Sequence, residues 1–388
     1  MKKIGVITAT RAEYGVLRNL IALINQDKDL ELCLIVTGAH LSEKHGYTIQ
    51  EIYEDGFPIA EKIHILSDDS SDFDITQVMG NACKRFGEVF RKQQPDMIVV
   101  VGDRYELLPI CSAAVIMGIP ISHISGGEIT EGAVDDIVRH CITKMSQLHF
   151  PGCEIYRKRI IQMGEEPERA FNDGDIGVEN IKKMHYMSKE ELEKDIKFSL
   201  DMPYACVTFH PVTMERGTAK AQIDELLAVL GSITDMKFII TKANADADGH
   251  IINERIDDFV SKTDNSVAFH SLGVKRYLSL MRHCEMIIGN SSSGIVEAPC
   301  FGIPTVNIGN RQKGRLKAES IIDCEPNRRS IAEAIRHART EEFKELSSNA
   351  VNPYREGNTS ELIIKEIKSY LAEKSGNYKR FYDCKFSE

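Results

Sequence analysis

The chain has 388 residues, of which 42% are hydrophobic and 27% charged, with a formal net charge of −10 at pH 7. This length exceeds one ordinary hydrophobic core and predicts two domains. The negative charge argues against nucleic acid as a partner, so an anionic ligand would need a local cluster of positive groups. No apolar run approaches the ~20 residues of a membrane-spanning helix, so no membrane partner is expected.

The first nine residues are basic and then apolar, as at the start of a signal peptide. However, Thr10, Arg11 and Glu13 interrupt the apolar run at once, which favours a first β-strand. We therefore expect a cytoplasmic protein. The ten cysteines contain no C-x-x-C pair, which indicates reduced thiols and not a metal cluster or a disulfide framework. We expect no metal ion and no cofactor.

In the first half of the chain, apolar segments rich in β-branched residues alternate with segments of helix length. Their continuous apolar character is typical of strands that are buried on both faces of a parallel sheet. Helices are predicted at residues 74–92 and 136–147, among others. The predicted strands are residues 3–9, 30–36, 62–66, 97–101, 119–124 and 148–151.

The same pattern restarts near residue 188, where Ser188-Lys189-Glu190-Glu191 is a capping-box signature that predicts the start of a helix. Two such series predict two α/β domains of comparable size, residues 1–180 and 181–359. Residues 360–374 predict an amphipathic helix followed by a charged tail, and the pattern does not assign this helix to either domain. The second series of predicted strands is residues 204–209, 237–241, 266–270, 286–289, 305–308 and 320–323.

Ligands of open α/β sheets bind beyond the carboxyl ends of the strands, so the polar residues that follow each strand are candidates for the site. Arg11 follows the first strand near the start of a helix, where an anion would meet a guanidinium and free N–H groups. The alternative is a surface arginine that pairs with an acid. Asp103 and Arg104 follow the fourth strand and suit a polar site, although they could also pair with each other.

Three acids lie close together after the fifth strand, namely Glu128, Asp135 and Asp136. Crowded carboxylates raise one another's pKa, which lets a carboxyl group exchange protons near neutral pH. Alternatively, Asp135 or Asp136 caps the following helix. Gly126 and Gly127 precede these acids and would let the backbone approach a ligand closely.

Polar residues also follow the strands of the second series. His210 follows the first of them, and a single histidine there is either structural or part of a site. Asn244 follows the second strand and Ser271 the third, and we include both among the candidates for nucleotide binding. Arg311 lies in a basic loop, residues 307–315, and is a candidate clamp for phosphates.

Residues 289–294, Gly-Asn-Ser-Ser-Ser-Gly, form the strongest motif and predict the start of a helix after strand 286–289. Exposed N–H groups, the hydroxyls of Ser291 and Ser292 and the helix dipole would make a phosphate cradle without a lysine. Glu297, about two turns into that helix, could bind the two hydroxyls of a ribose; the alternative is a serine-rich helix cap. No Gly-x-Gly-x-x-Gly follows the first strand and no P-loop occurs, which argues against tight dinucleotide binding and ATP hydrolysis.

Together these residues resemble the hydrolysing UDP-N-acetylglucosamine 2-epimerases, and more closely the bacterial members of the sialic-acid and legionaminic-acid pathways. The resemblance covers nearly the whole chain, in family order and spacing. The motifs that carry it are Gly102-Asp103-Arg104, His123-x-x-Gly126-Gly127-Glu128, Asp135-Asp136-x-x-Arg139-His140, His210-Pro211-x-Thr213, Gly289-Asn290-Ser291-Ser292-Ser293-Gly294 and Gly309-x-Arg311-Gln312.

The resemblance implies a GT-B-like α/β fold: two Rossmann-like, doubly wound domains with a cleft between them. It also implies that residues 360–388 cross back to the first, sugar-side domain and that the second domain binds the nucleotide. For the diphosphate it implies Arg11, His210, Ser291, Ser292 and Arg311; for the ribose Glu297; for the nucleotide-side loop Asn244; and for the sugar Asp103, Arg104, Glu128 and Asp135. Many relatives carry Glu where this chain has Ser125, so the base would be Glu128, Asp103 or Asp135.

The implied reaction breaks the anomeric C–O bond, forms a glycal, and hydrates it to a free 2-epimeric mannose-type sugar plus UDP, in nonulosonic (sialic or legionaminic) acid biosynthesis. The sugar would be N-acetylglucosamine or 2,4-diacetamido-2,4,6-trideoxyglucose, and the sequence leaves this choice open, as it does UDP against GDP. Alternatives are a non-hydrolysing 2-epimerase, a GT-B glycosyltransferase and a nucleotide-sugar sensor. The family also implies a homodimer or homotetramer.

Overall fold

A computed structural model describes residues 1–67, 71–244, 248–354, 357–373 and 378–385. Parts of the predicted charged tail, residues 374–377 and 386–388, lie outside the described residues. The same holds for residues 245–247, which follow the candidate Asn244. Within the described ranges, no helix is long and apolar enough to cross a membrane.

The chain divides into two compact units. Unit 1 comprises Met1–Glu128, Val134–Asn180 and Tyr354–Glu388, and unit 2 comprises Ile129–Ala133 and Ile181–Pro353. Each unit contains one six-stranded sheet with helices on its faces. The strands are β1 (Lys2–Thr8), β2 (Leu30–Thr37), β3 (Ile59–Ile63), β4 (Met97–Val101), β5 (Ile121–Ile124), β6 (Leu148–Phe150), β7 (Tyr204–Thr208), β8 (Lys237–Thr241), β9 (Ser266–Phe269), β10 (Met286–Gly289), β11 (Thr305–Ile308) and β12 (Ile321–Cys324).

Helices connect these strands in both units. They are α1 (Arg11–Gln26), α2 (Ile49–Glu54), α3 (Asp72–Gln93), α4 (Leu107–Ile116), α5 (Asp135–Met145), α6 (Glu154–Gln162), α7 (Ile176–Lys183), α8 (Lys189–Ile196), α9 (Ala219–Leu230), α10 (Gly249–Val260), α11 (Gly273–His283), α12 (Ser293–Val296), α13 (Arg328–Ala338), α14 (Glu341–Asn349) and α15 (Thr359–Ala372). The predicted capping box opens α8, where the Ser188 and Glu191 side chains each accept a backbone N–H from the other residue.

The two sheets have the same topology. The strand order is β3-β2-β1-β4-β5-β6 in unit 1 and β12-β11-β10-β7-β8-β9 in unit 2, and the strand pairs are parallel. Counted from the first strand of each unit, both orders read 3-2-1-4-5-6, which is the doubly wound Rossmann order. The predicted fold class, two Rossmann-like domains of GT-B type, is therefore confirmed.

Each predicted strand is observed, with small shifts at the ends. The largest shift is at β3, which begins at Ile59 where the prediction began at residue 62. The pairing of β2 with β3 starts at Leu34 and Ile59, so hydrogen bonding decides the bounds of this strand. Ile65 lies beyond the end of the strand but is buried in the core. Because it is apolar, the sequence pattern extended the predicted strand past Ile63.

Helix α15 packs onto the core of unit 1, which places the predicted helix 360–374 at Thr359–Ala372. Ile363 and Ile367 are buried in the same cluster as Ile4 of β1. Each fully buried aliphatic side chain contributes ~1.5–3 kcal/mol. Glu179 fixes the start of the helix, because its carboxylate accepts the backbone N–H of Ser360 at 2.8 Å and the hydroxyl at 2.9 Å.

Candidate active site

The carboxyl edge of each sheet carries its own set of candidate residues. In unit 1 they follow β1, β4 and β5, and in unit 2 they follow β7 to β11. The unit 1 set is Arg11, Asp103, Arg104, Glu128 and Asp135. The unit 2 set is His210, Asn244, Ser271, Ser291, Ser292, Glu297 and Arg311.

Arg139 organises the acids of unit 1. Its side chain is buried on α5, where one guanidinium nitrogen binds the Asp103 carboxylate and the other donates to the Glu128 carbonyl at 3.0 Å. Asp136, one turn earlier on α5, lies 3.5 Å from the same guanidinium. Arg139 thus ties the loop after β4 to the loop after β5.

Sequence analysis quoted Arg139 only as part of a motif and did not include it among the site residues. A signal was present, because Asp135 and Asp136 lie four and three positions before it, and this spacing puts them on one face of a helix. What the sequence could not supply is the contact with Asp103, which is 36 positions away.

Arg104 and Glu106 form a second charged pair after β4. The Arg104 guanidinium lies 3.4 Å from the Glu106 carboxylate, and Glu106 is completely buried. An ion pair between Asp103 and Arg104 was the alternative that the sequence left open. The structure gives each a partner of its own, Arg139 for Asp103 and Glu106 for Arg104.

His123 holds the Gly102–Arg104 loop to β5 as a neutral group. Burial lowers the pKa of this imidazole to about 3. One ring nitrogen bonds the Gly102 carbonyl at 2.8 Å, which requires that nitrogen to carry the proton. The other lies 3.3 Å from the Thr143 hydroxyl on α5. His123 therefore positions the loop and is not available as a base near neutral pH.

The acids at the start of α5 do not cap the helix, so that part of the prediction is wrong. Helix α5 begins at Asp135, and Val134 occupies the N-cap position without a side-chain hydrogen bond. Asp135 and Asp136 lie in the first turn, where the helix dipole stabilises negative charge. The Asp136 carboxylate lies 3.5 Å from the Arg139 guanidinium and 3.6 Å from the His140 ring.

The glycines before Glu128 serve packing inside unit 1. A Cβ on Gly127 would lie 2.5 Å from the Tyr156 carbonyl of α6, and one on Gly126 would lie 3.0 Å from the His123 ring. That these glycines also let the backbone approach a ligand stays a prediction. Ser125, where many relatives carry Glu, has φ +61°, a left-handed conformation that is uncommon for a residue with a side chain.

Asn290 is the centre of the unit 2 set. Its side-chain oxygen accepts the His210 backbone N–H at 2.7 Å, and its side-chain nitrogen donates to the His210 carbonyl at 2.8 Å. Its own carbonyl accepts hydrogen bonds from Arg311 at 3.1 Å and from Gln312 at 2.9 Å. One buried asparagine therefore brings the loops after β7, β10 and β11 together.

The segment after β10 differs from the predicted phosphate-binding helix. Helix α12 covers only Ser293–Val296 and is followed by a 3₁₀ helix, Ala298–Phe301. Pro299 lacks the N–H that would continue the α-helix, which explains the early end. Glu297 is the C-cap of α12, not two turns inside a helix, so the prediction was wrong on this point. Because few peptide dipoles align in so short a helix, the helix dipole that the predicted phosphate cradle relied on is weak.

Hydroxyl groups surround this short helix. Ser291 accepts hydrogen bonds from the Ser293 N–H at 3.4 Å and from its hydroxyl at 3.2 Å. The Tyr277 hydroxyl of α11 lies 2.6 Å from the Ser293 hydroxyl. Tyr277 was not among the residues predicted from the sequence. Ser292 is exposed at the loop tip. The residues here are neutral donors and acceptors.

Two candidates lie at the ends of β8 and β9. The Ser271 hydroxyl accepts the Gly273 N–H at 3.1 Å and so stabilises the first turn of α11. Asn244 follows β8 and is half-buried. The loop after β11 also holds the Ile129–Ala133 segment within unit 2, because Glu131 N–H donates to the Lys313 carbonyl at 3.0 Å. Among the described residues, no group of three or more His, Cys, Asp or Glu side chains is placed to hold a metal ion.

Comparisons with known proteins agree with this arrangement. The profile of the UDP-N-acetylglucosamine 2-epimerase family matches residues 22–368. The chain is 44% identical to the GDP/UDP-N,N'-diacetylbacillosamine 2-epimerase (hydrolyzing) of Campylobacter jejuni subsp. jejuni, over 89% of each chain. It is 37% identical to the polysialic acid biosynthesis protein P7 of Escherichia coli, over 99% of this chain and 98% of the relative.

Solved structures share the fold. The UDP-N-acetylglucosamine 2-epimerase of Neisseria meningitidis bound to UDP-N-acetylglucosamine superposes with a TM-score of 0.80. The match covers 95% of this chain and 100% of that one at 18% identity, so it shows the fold alone. The profile match and the 44% identity to the Campylobacter enzyme show the family as well as the fold. The chain belongs to the UDP-N-acetylglucosamine 2-epimerase family and is an enzyme of its hydrolysing type.

Proposed function

We propose that this chain converts a UDP-linked 2-acetamido sugar into UDP and the free sugar inverted at C2, in nonulosonic acid biosynthesis. The substrate would be UDP-N,N'-diacetylbacillosamine, the 2,4-diacetamido-2,4,6-trideoxyglucose derivative, or UDP-N-acetylglucosamine. The observation that carries this proposal is the 44% identity, over 89% of both chains, to an enzyme whose name specifies hydrolysis of the diacetamido substrate. We place the reaction in the cytoplasm.

Unit 2 would bind the diphosphate, and Arg11 keeps the diphosphate role that the family resemblance implies. The support is the Asn290 centre, which fixes the loops of His210 and Arg311 around one buried carbonyl. A guanidinium, an imidazole and serine hydroxyls would stabilise the negative charge that develops on the departing UDP. We assign Ser291, Ser292 and Arg311 to the phosphates, Glu297 to the ribose, and Asn244 and Ser271 to the nucleotide side.

Unit 1 would act on the sugar. As the bond to UDP breaks, positive charge builds at C1 and the proton at C2 becomes acidic. A carboxylate takes this proton, which gives a glycal, and water then adds to C1 while C2 is protonated on the opposite face. Asp103 is held in an ion pair with Arg139. The base would be Glu128, Asp135 or Asp103, with Arg104 orienting the ring.

The domain roles follow from these assignments. Residues 1–180, completed by 360–388, would carry the sugar chemistry, and residues 181–359 would bind the nucleotide. The expected homodimer or homotetramer stays a prediction, which sedimentation of the purified chain can decide.

The test supplies UDP-N-acetylglucosamine, UDP-N,N'-diacetylbacillosamine and the GDP-linked form of the latter in heavy water, without an acceptor. The expected products are nucleoside diphosphate and a free manno-configured sugar with deuterium at C2. A UDP-linked product with no free sugar would instead identify a non-hydrolysing epimerase. Turnover only after addition of an acceptor would identify a glycosyltransferase.

Site variants separate the two roles. Glu128→Gln and Asp135→Asn should each lower kcat by about 100-fold or more, as expected for loss of a general base, with UDP affinity little changed. Arg311→Gln should weaken UDP binding as well as kcat, because a charged clamp acts in both states. If both acid variants keep normal turnover, neither is the base and Asp103 becomes the remaining candidate.

A further inference from the structure

The turn between β1 and α1 is built around a buried acid, Glu13, which the proposed reaction does not use. One oxygen of its carboxyl group accepts the backbone N–H groups of Ala9 at 2.6 Å and Thr10 at 3.2 Å. Its own N–H donates to the Thr10 hydroxyl, which completes a reciprocal capping box. Arg11 lies inside this box, so the geometry of the turn that carries Arg11 depends on Glu13.

The other oxygen of Glu13 is buried and has no hydrogen-bond partner in the described part of the chain. The nearest charges are Glu106 and Arg104 from the loop after β4. Glu106 is also completely buried, and one of its oxygens lies 3.4 Å from the Arg104 guanidinium. The cluster therefore contains two carboxyl groups and one guanidinium, so it would hold an uncompensated buried charge if both acids were ionised.

The neighbouring histidine does not compensate a second carboxylate. His40, on the neighbouring 3₁₀ helix Gly38–Leu41, has its pKa lowered to about 4 by burial and is neutral at pH 7. Burial raises the pKa of Glu13 to about 8, the Ala9 N–H bond opposes this, and the charge of Glu106 raises it further. Arg104 lowers it only in part. The burial of Glu13 and the oxygen that lacks a hydrogen-bond partner therefore both favour its protonated form.

We propose that Glu13 is a positioning residue that acts in its neutral, protonated form, holding the Arg11 turn while Glu106 pairs with Arg104. This inference rests on the proposed function, in which Arg11 and Arg104 contact the substrate. Loss of the Glu13 proton adds a second buried negative charge beside Arg104 and draws that guanidinium away from the sugar. Activity should therefore fall as pH rises through about 8.

The first experiment does not depend on enzymatic activity. Carbon-13 labelling of the glutamate carboxyls, followed by an NMR titration of the wild-type chain, should show one carboxyl with a midpoint near pH 8, which Glu13→Gln removes. If every glutamate of the folded wild type titrates below about pH 6, as unperturbed or charge-stabilised carboxyls do, the proposal is overturned. This readout stands even if the chain proves to have a different substrate.

The second experiment uses kcat/KM against pH for three variants. Glu13→Ala should lose about 10-fold or more at pH 7, because two N–H groups lose their acceptor. Glu13→Gln keeps an oxygen acceptor and mimics the protonated acid, so it should restore most of this loss and remove the decline near pH 8. Glu106→Gln should move the decline to lower pH, because it removes a negative charge that raises the pKa of Glu13.

A purely structural role for Glu13 gives a different pattern. In that case Glu13→Gln and Glu106→Gln lower activity without moving the alkaline midpoint. A requirement for ionised Glu13 would make Glu13→Gln as inactive as Glu13→Ala at pH 7. Either result contradicts the proposal. If none of the nucleotide sugars is turned over but one glutamate still titrates near pH 8 by NMR, only the proposed function is contradicted.

Discussion

The two sheets have the same strand order, yet their carboxyl edges carry opposite chemistry. The edge of unit 1 is made of permanent charges in fixed contacts, Asp103 with Arg139 and Glu106 with Arg104. Around Asn290, the edge of unit 2 combines the Arg311 guanidinium with neutral backbone groups and with threonine, tyrosine and serine hydroxyls. The topology therefore does not dictate the chemistry of its loops.

This difference fits the two tasks that we assign to the units. A dianionic diphosphate brings its own charge, so fixed carboxylates at its site would repel it and fixed cations in excess would be costly without a ligand. Neutral N–H and O–H groups avoid both problems. Proton transfer at a carbon atom requires the reverse, namely carboxylates whose charge and orientation are set before the substrate arrives.

A glycine with positive φ ends β10 (Gly289) and directly follows β4 (Gly102), and these two glycines should respond very differently to substitution. A Cβ on Gly289 would lie 1.9 Å from the Thr208 carbonyl, whereas a Cβ on Gly102 would meet no atom within 4 Å. Gly289→Ala should therefore cost more than about 4 kcal/mol of unfolding free energy or prevent folding. Gly102→Ala should cost only about 1 kcal/mol, the strain of a left-handed residue.

Urea denaturation of both variants measures this contrast. Equal losses of unfolding free energy would show that backbone conformation, and not contact with Thr208, decides both positions. That outcome would contradict the predicted difference between Gly289 and Gly102.

Arg139→Gln tests the charged edge. The change leaves Asp103 without its guanidinium partner and removes a donor from the Glu128 carbonyl. Breaking such a buried pair costs about 3 kcal/mol of unfolding free energy, and we expect kcat to fall by about 100-fold or more. UDP affinity, which we assign mainly to unit 2, should change little.

The matched control is Arg329→Gln, because Arg329 is 89% exposed and pairs with Glu333 on the same helix. Surface pairs of this kind contribute less than about 1 kcal/mol, and its turnover should be that of the wild type. If Arg139→Gln lowers UDP affinity as much as kcat, the assignment of separate roles to the two edges fails.

Asn290→Ala tests the neutral edge. It removes both side-chain hydrogen bonds to the His210 backbone and leaves a buried N–H and a buried carbonyl without partners. The expected loss is about 2 kcal/mol of unfolding free energy. Calorimetry with UDP should show about 10-fold weaker binding, because the loops of His210 and Arg311 lose their common anchor. Unchanged UDP affinity would contradict the role of Asn290 as the centre of the binding edge.

The sequence predicted the scaffold of this comparison well. Strands buried on both faces are continuous apolar runs, so both series of six could be recognised, and the residues after them could be named. The effects of single residues on the backbone were harder to predict. Pro299 ends α12 after four residues, which removed the long helix predicted behind Ser291 and Ser292.

The side-chain partners could not be predicted. Glu13 was noted only as a polar interruption after the first strand, because its significance comes from Glu106 and Arg104, which are distant in sequence. Arg139 likewise depends on a contact with Asp103. Spacing along the chain predicts which residues reach a sheet edge, whereas burial and charge in three dimensions decide which of them pair.

The smallest effect is expected at the far end of α5, where Lys379 donates to the carbonyls of Lys144 and Ser146 at 2.6 and 2.7 Å and pairs with Glu165. Lys379→Met should cost about 1 kcal/mol at pH 7, since the lost pair is offset by removing a partly buried charge. Kcat should be nearly unchanged, because these charges lie at the opposite end of the helix from Asp135 and Asp136.

The pH dependence of that small effect distinguishes an ion pair from simple packing. Burial raises the pKa of Glu165, but His149 and the two lysines outweigh it and hold the pKa at about 2, against 4.5 for an unperturbed glutamate. The stability that Glu165 contributes is therefore complete above pH 4.5 and is lost as pH falls through about 2. The difference between wild type and Lys379→Met should shrink over that interval, while the exposed control Lys365→Met should show no such change. A difference that stays constant down to pH 2 would mean that Lys379 stabilises α5 through its carbonyl contacts alone.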